Sequence, residues 1–275
     1  MSKDIQLAAK VVAVGAWGAS FRNWHDLQKL LKDETVEDDG AKGPKPEIIP
    51  ANERRRAPLP VRLAVESSWQ ATQASTLSPE ELTCVFVSAL GDTQLTDYMC
   101  KVLAGDNKQL SPTKFHNSVH NAAAGYWTIS TGCMKAANSV AGYEESVSLT
   151  LLEALTQIAN EKIPILLTFY DAPVSLVLKD LLKNDYPFAV SLVLVPEDMD
   201  IEGIKITADI LQGKMQWPAL EAGTDELQAI YQSTPTARVL ALLEKLATAK
   251  TSDLDLNEQI QVPLSAGTFM RLTVS

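Results

Sequence analysis

The stretch Ser111–Ser146, which reads SPTKFHNSVHNAAAGYWTISTGCMKAANSVAGYEES, is the most informative part of the chain. Its first half indicates a loop that enters a helix rich in small residues, and residues 136–141 are predicted to form a short strand. A helix over residues 145–160 follows, because Val147, Leu151 and Ile158 share one apolar stripe. The segment therefore predicts a strand and a helix that are joined by a turn at Tyr143–Glu144.

The segments on either side alternate between strand and helix patterns. Continuously apolar runs such as residues 163–169 are typical of strands that are buried on both faces. Strands are predicted at 10–15, 83–89, 136–141, 163–169, 188–195, 204–210 and 268–274. Helices are predicted at 23–32, 61–74, 93–104, 145–160, 173–183, 226–232 and 236–249. This alternation predicts an α/β protein with a largely parallel sheet.

Composition excludes several classes of function. The net charge of −10 disfavours nucleic-acid binding, which needs a basic surface to neutralise phosphates. No run of about 18 uncharged apolar residues occurs, so no membrane span is predicted. The chain has three cysteines without close spacing, which indicates neither a disulfide framework nor a zinc site and fits a cytoplasmic protein.

Histidine is scarce, and its distribution limits the chemistry that the chain can perform. The chain has three histidines, and none follows His120. His116 and His120 have a spacing of i and i+4 that can bind a metal ion, but no HExxH glutamate and no nearby acid or cysteine accompanies them. Packing or hydrogen bonding in a helix is the favoured interpretation, and no metal site is predicted.

The segment from Ser111 to Ser146 resembles the corresponding stretch of β-ketoacyl synthases, which belong to the thiolase-like superfamily. The matching residues are Ser111, Pro112, Asn121, Ala124, Gly125, Thr128, Ile129 and Gly132. The resemblance implies a thiolase-like fold with α-β-α-β-α layers and no cofactor. It implies a single domain over residues 1–275, with a complete N-terminal half over about residues 10–197 and a shortened, divergent C-terminal part over residues 198–275.

Two departures from the family pattern bear on function. Glu144 stands where the family has its nucleophilic cysteine, and the two histidines of the family's second half have no counterpart after His120. Both losses favour a non-catalytic subunit, because a carboxylate cannot take an acyl group from a thioester as a thiolate does. Two alternatives stay open: a decarboxylase or acyltransferase that uses Cys133 or Glu144, and a free-standing binding protein. Cys133 as nucleophile requires the match to slip by eleven residues.

What the resemblance implies about partners follows from the dimers that the family forms. The strand before the nucleophile turn pairs across the two-fold axis in those dimers. The chain resembles a truncated chain length factor, of the type found in bacterial aryl polyene biosynthesis. Such a factor pairs with a catalytic β-ketoacyl-ACP synthase, shapes its acyl tunnel and meets the acyl carrier protein through the complex. Family position gives the tunnel and interface candidates as Leu90, Phe115, Val119, Asn121, Asn138, Ser139, Val140 and Glu144.

Overall fold

The computed structural model describes residues 7–37, 39–182, 184–249, 257–265 and 267–275. The strands are β1 (Leu7–Gly18), β2 (Thr83–Val87), β3 (Ala137–Val140), β4 (Ile165–Asp171), β5 (Phe188–Val195), β6 (Ile204–Gln212), β7 (Glu258–Ser265) and β8 (Thr268–Val274). The helices are α1 (Trp24–Leu31), α2 (Ala51–Arg54), α3 (Leu59–Ala74), α4 (Thr93–Ala104), α5 (Pro112–His116), α6 (Ala122–Thr131), α7 (Ser146–Glu161), α8 (Asp225–Ser233) and α9 (Leu240–Thr248). Short 3-10 turns lie at Pro79–Glu81, Tyr143–Glu145 and Pro235–Val239. In the described part of the chain, no helix is long and apolar enough to cross a bilayer.

The strands form one mixed sheet in the order β3-β2-β4-β5-β1-β6-β8-β7. Only the pairs β3–β2 and β2–β4 are parallel among the described strands; every other neighbouring pair is antiparallel. The prediction of a largely parallel sheet is therefore wrong. Parallel neighbours need a crossover connection, usually a helix, whereas β4 and β5 are joined without one.

The connection between β4 and β5 also corrects the helix that was predicted over residues 173–183. Its described residues form turns at 176–181, and residue 183 lies outside the described ranges. The backbone N–H of Val174 donates to the carbonyl of Asn184, and the buried Asn184 side chain donates to the carbonyl of Ala172. These bonds close the segment into a loop. Leu176 is left 84% exposed, which is unlike the buried stripe of a packed helix.

Strand β7 was not predicted from the sequence. Pro263 interrupts its pattern, and proline cannot donate a hydrogen bond to a sheet ladder. The strand forms nonetheless, because it lies at the edge of the sheet and buries Ile260, Val262 and Leu264 on one face.

Helices cover both faces of the sheet. Helices α3 and α6 pack with one hydrophobic cluster, and α1, α7, α8 and α9 pack with the other. Although β7 is the last strand of the sheet, it contacts α7 and the turn Tyr143–Glu145. The sheet therefore curls around α7. The expected α-β-α-β-α layering includes two separate sheets. In the described residues, strands β6, β8 and β7 instead continue the sheet that β1–β5 form.

Helix α3 approaches the centre of the sheet closely at Gly15. A Cβ atom at Gly15 would lie 2.1 Å from the carbonyl oxygen of Ser67 and 2.5 Å from the backbone nitrogen of Ala71. Beside this contact, the Ser67 and Ser191 hydroxyls are 2.9 Å apart, and those of Ser68 and Thr168 are 2.8 Å apart. These hydroxyls are fully buried, and their mutual hydrogen bonds offset the cost of burying them.

Asp171 ends β4 and is completely buried. Its Oδ1 atom accepts hydrogen bonds from the Ser88 hydroxyl at 2.8 Å and the Ala89 N–H at 3.1 Å. Its Oδ2 atom accepts one from the Thr236 hydroxyl at 2.8 Å. Burial raises the pKa of the Asp171 carboxyl to about 6, although these hydrogen bonds oppose the shift. The carboxyl joins the loop after β2 to the C-terminal part of the chain.

We expect Gly15→Ala to lower the free energy of unfolding by about 2–3 kcal/mol, because the added methyl group meets backbone atoms that cannot move independently. Urea denaturation monitored by circular dichroism measures the change. Gly125→Ala is the matched control, since a Cβ atom there has nothing within 4 Å and alanine favours the helix. Equal destabilisation by the two substitutions would contradict the close approach of α3.

Asp171 is expected to make stability depend on pH. Its folded-state pKa lies above the ordinary value, so its contribution is fully present below about pH 4 and is lost as the pH rises through about 6. The rise of the Asp171 pKa to about 6 corresponds to roughly 3 kcal/mol of stability. Urea unfolding of the wild type and Asp171→Asn from pH 4 to 7 should show the wild type losing stability relative to the variant.

Thr236→Val provides a second check, since the Thr236 hydroxyl is a hydrogen-bond donor that lowers the Asp171 pKa. Its loss should move the pH window upward. A difference between wild type and Asp171→Asn that stays constant with pH would show that Asp171 does not titrate in this range.

Candidate functional site

The turn between β3 and α7 has the geometry of a sharp strand–turn–helix elbow. Tyr143 adopts a left-handed backbone with φ of 49°, and α7 begins at Ser146. The Gly142 N–H donates to the Ser146 hydroxyl at 3.0 Å. A Cβ atom at Gly142 would lie 2.8 Å from Cδ1 of Leu149, so the chain passes close to the helix here. The turn thus keeps a defined shape.

Glu144 lies within this turn, just before the N-terminus of α7, and is partly buried. Its backbone carbonyl accepts a hydrogen bond of 3.1 Å from Nε1 of Trp217, which lies in the loop after β6. A carboxylate close to a helix N-terminus is stabilised by the positive end of the helix dipole. The position tolerates a negative charge, but a carboxylate lacks the nucleophilicity of a thiolate.

Cys133, the alternative nucleophile, lies in the core between α6 and β2. It is 3% exposed, and its thiol donates to the carbonyl of Leu82 at 3.4 Å. The neighbouring Cys133 thiol, together with burial, raises the pKa of Cys84, and the neighbouring Cys84 thiol lowers the pKa of Cys133 to about 6. Burial nevertheless keeps substrates from the sulfur, because Cys133 packs inside the cluster under α6.

The two spaced histidines have separate surroundings. Nε2 of His120 lies 3.2 Å from the carbonyl oxygen of Val140 in β3, and His116 lines a cavity beside α6. Among the described residues, no group of three or more His, Cys, Asp or Glu side chains is placed to hold a metal ion.

Two cavities adjoin the helix α6. The larger has a volume of about 410 Å³ and is mainly apolar; the smaller has about 170 Å³. The lining of the larger includes Ile48, Ile49, Val119, Asn121, Tyr126 and Ile129. The lining of the smaller includes Leu90, Gly91, Asp92, Val119, His120 and Tyr170. Val119 borders both.

The structure brings together some of the tunnel candidates that the sequence suggested. Leu90 and Val119 line the smaller cavity, and Asn121 joins Val119 in the larger one. Phe115 is instead exposed on α5, outside both linings. Val140 lies next to the smaller cavity through its contact with His120.

Strand β3 is at one end of the sheet and pairs with β2 on one side. Cys84 N–H donates to the carbonyl of Ala136, and Ser88 N–H to that of Val140. The backbone groups of residues 136 and 140 thus face β2, and alternation along the strand directs those of Ser139 to the outer edge. Asn138 donates a side-chain hydrogen bond to Glu153.

Apolar side chains are exposed on the segments that lead into β3. Ile129 is 83% exposed and Met134 is 93% exposed. Phe115 and Val119 are each at least half exposed. Exposed apolar side chains near a sheet edge that no described strand pairs with are typical of an interaction surface.

Several residues at this site were not found from the sequence. Trp217 and Asp171 contact it through hydrogen bonds to Glu144 and to the loop at Ser88. No local sequence pattern indicates either contact, because Trp217 is far from Glu144 along the chain, and Asp171 is far from Ser88.

Comparisons with known proteins identify the family. The model of the β-ketoacyl synthase N-terminal domain matches residues 23–250. No curated protein matches the chain significantly. A chain of the structure of a ketosynthase (ApeO) in complex with its chain length factor (ApeC) from Xenorhabdus doucetiae is 18% identical, with a TM-score of 0.70 over 97% of this chain and 99% of that chain.

Two further solved structures have the same fold. A complex of a type II PKS acyl-carrier protein with its ketosynthase bound to the hexaketide, AntDE:AntF, has a chain that is 13% identical, with a TM-score of 0.73 over 98% of this chain and 99% of that chain. Ketosynthase twelve of the bacillaene polyketide synthase from Bacillus amyloliquefaciens is 11% identical, with a TM-score of 0.63 over 97% of this chain and 73% of that chain. The thiolase-like α/β fold is confirmed, and the chain belongs to the β-ketoacyl synthase family.

Proposed function

We propose that this chain is a non-catalytic, chain-length-factor-like subunit that heterodimerises with a catalytic β-ketoacyl-ACP synthase and shapes its acyl tunnel. The observation that carries the proposal is a sharp strand–turn–helix elbow that holds Glu144, next to a strand edge that no described strand pairs with. By its resemblance to the family, we take this elbow as the nucleophile turn with a glutamate at the position of the cysteine.

The chemical argument rests on two linked losses. Glu144 occupies the position of the family's thiolate, and the sequence has no histidine after His120 to serve in decarboxylation or as an oxyanion donor. An activity through Cys133 is disfavoured by the burial of its thiol. In the proposed heterodimer, the partner supplies the nucleophile and both histidines.

The case for a ketosynthase partner rests on the surface around β3. Ser139 presents its backbone groups to the outer edge, and Ile129 and Met134 expose apolar side chains nearby. A partner of the same fold pairs its own edge strand there, which satisfies the free backbone groups and covers the apolar surface. One solved relative is a ketosynthase with its chain length factor, and this chain covers 99% of the matched chain.

We further propose that the cavities at Val119 contribute to an acyl tunnel. The apolar lining of the larger cavity suits a hydrocarbon chain, and Leu90 lines the smaller one. The carrier protein reaches the tunnel through the catalytic subunit, since this acidic chain repels an acidic carrier. By its resemblance to truncated chain length factors, we assign the complex to type II polyketide biosynthesis of the aryl polyene kind.

We expect Ile129→Glu to weaken the complex with the catalytic ketosynthase on the order of tenfold or more, because it places a charge in an apolar interface. Co-expression, affinity purification and calorimetric titration measure the effect. Ile210→Glu is the matched control, since Ile210 is also an exposed isoleucine but lies on β6, far along the sheet from β3.

Ser139→Pro provides a backbone version of the same test. Proline removes the N–H that faces the outer edge, while the neighbours of Ser139 keep their bonds to β2. Retained binding by both Ile129→Glu and Ser139→Pro would exclude β3 as the interface. Independent migration of the wild-type chain and the ketosynthase would reject the heterodimer.

A thiol-reactive chloroacetyl mimic of an acyl-carrier substrate should distinguish the two subunits. Thiolate attack displaces chloride and leaves a thioether, which intact-mass spectrometry detects. We expect one label on the catalytic partner and none on this chain in a Cys100→Ser background, which removes the exposed thiol. Labelling of Cys133 at a rate similar to the partner's nucleophile would favour an enzyme that acts on its own.

A further inference from the structure

The loop that follows β2 carries Leu90 into the smaller cavity, and a short series of hydrogen bonds fixes its shape. The Ser88 hydroxyl donates to Asp171 Oδ1 at 2.8 Å. The same hydroxyl accepts a hydrogen bond of 2.9 Å from the N–H of Gly91. Ala89 N–H also donates to Asp171 Oδ1, at 3.1 Å. Leu90 is therefore flanked on both sides by residues whose backbone N–H groups are held.

The C-terminal part of the chain holds the other oxygen of the same carboxylate. The Thr236 hydroxyl donates to Asp171 Oδ2 at 2.8 Å, and Thr236, Asp171 and Ser88 are all fully buried. A buried carboxylate that is bonded through both oxygens has a fixed orientation. Thr236, in the C-terminal part of the chain, thus orients the Asp171 carboxylate, and this carboxylate in turn fixes the Ser88 hydroxyl.

On its other side, the loop meets the residues that lead to the sheet edge. Gly91 has a left-handed backbone with φ of 65°, and a Cβ atom at this position would lie 3.7 Å from Nδ1 of His120. Nε2 of His120 in turn lies 3.2 Å from the Val140 carbonyl oxygen in β3. His120 therefore lies between the loop at Gly91 and the end of β3.

We propose that Asp171 and Ser88 are positioning residues that hold Leu90 in the wall of the cavity and thereby set the length of acyl chain that the complex makes. Neither side chain lines the cavity, so both act through the backbone of residues 89–91. The effect on chain length rests on the proposed function, whereas the positioning of the loop is a property of this chain alone.

The test is Ser88→Ala, which removes the hydroxyl that links Asp171 to Gly91. In the isolated chain, we expect the Gly91 amide to exchange its hydrogen roughly tenfold faster, the factor that corresponds to one hydrogen bond of ordinary net strength. In the complex with the catalytic ketosynthase, we expect product lengths to shift by at least one extension unit while the two subunits still co-purify.

Ser75→Ala is the matched control, because the Ser75 hydroxyl likewise accepts a backbone N–H, from Leu77 at 3.2 Å, in a turn outside the cavity linings. It should change neither readout. Asp171→Asn is the second variant and should act in the same direction as Ser88→Ala. Adding Ser88→Ala to Leu90→Ala should shift the products no further than Leu90→Ala alone, since Ser88 acts through Leu90.

Unchanged Gly91 exchange in Ser88→Ala would overturn the positioning role. Faster exchange with an unchanged product distribution, or additive shifts in the double variant, would overturn the role in chain length. If the wild-type chain does not bind the ketosynthase at all, the proposed function fails together with the role in chain length, and Gly91 exchange still decides whether Ser88 and Asp171 fix the loop.

Discussion

The close contact between α3 and the centre of the sheet is the constraint on which the other parts depend. Gly15 lets the helix backbone touch β1, and the buried hydroxyls of Ser67 and Ser191 bond across the same interface. Such contacts allow little lateral sliding, because any shift leaves buried hydroxyls unpaired. The positions of β4 and of its neighbour β2 are fixed in this way, and the loops at their carboxyl ends form the site.

The C-terminal part of the chain packs against the elbow before α7 and against the end of β4. Strands β6, β8 and β7 continue the first sheet and bring it round α7, where Trp217 bonds to Glu144 and Thr236 bonds to Asp171. These contacts hold the turn before α7 and the end of β4 against the C-terminal part of the chain.

The sequence allowed the local elements and the family to be predicted, because both depend on residues that are near one another in the chain. The motif at Ser111–Ser146 and the apolar runs of β4 and β5 carry such signals. The Ser88–Asp171 bond joins residues that are 83 positions apart, and no local pattern indicates it. The segment 173–183 reads as a helix, because no pattern within it indicates that the side chain of Asn184, just beyond its end, bonds to the carbonyl of Ala172 and closes a loop.

The unpaired edge of β3 has a consequence for the cell as well as for the complex. A strand edge with outward N–H and carbonyl groups accepts any extended chain, including another copy of itself, and the exposed Ile129 and Met134 add to its adhesiveness. In the heterodimer proposed above, a surplus of this chain over the ketosynthase therefore leaves an aggregation-prone edge uncovered. Matched synthesis of the two chains, as from adjacent cistrons of one transcript, is then the simplest way to keep that edge covered from the moment the chain folds.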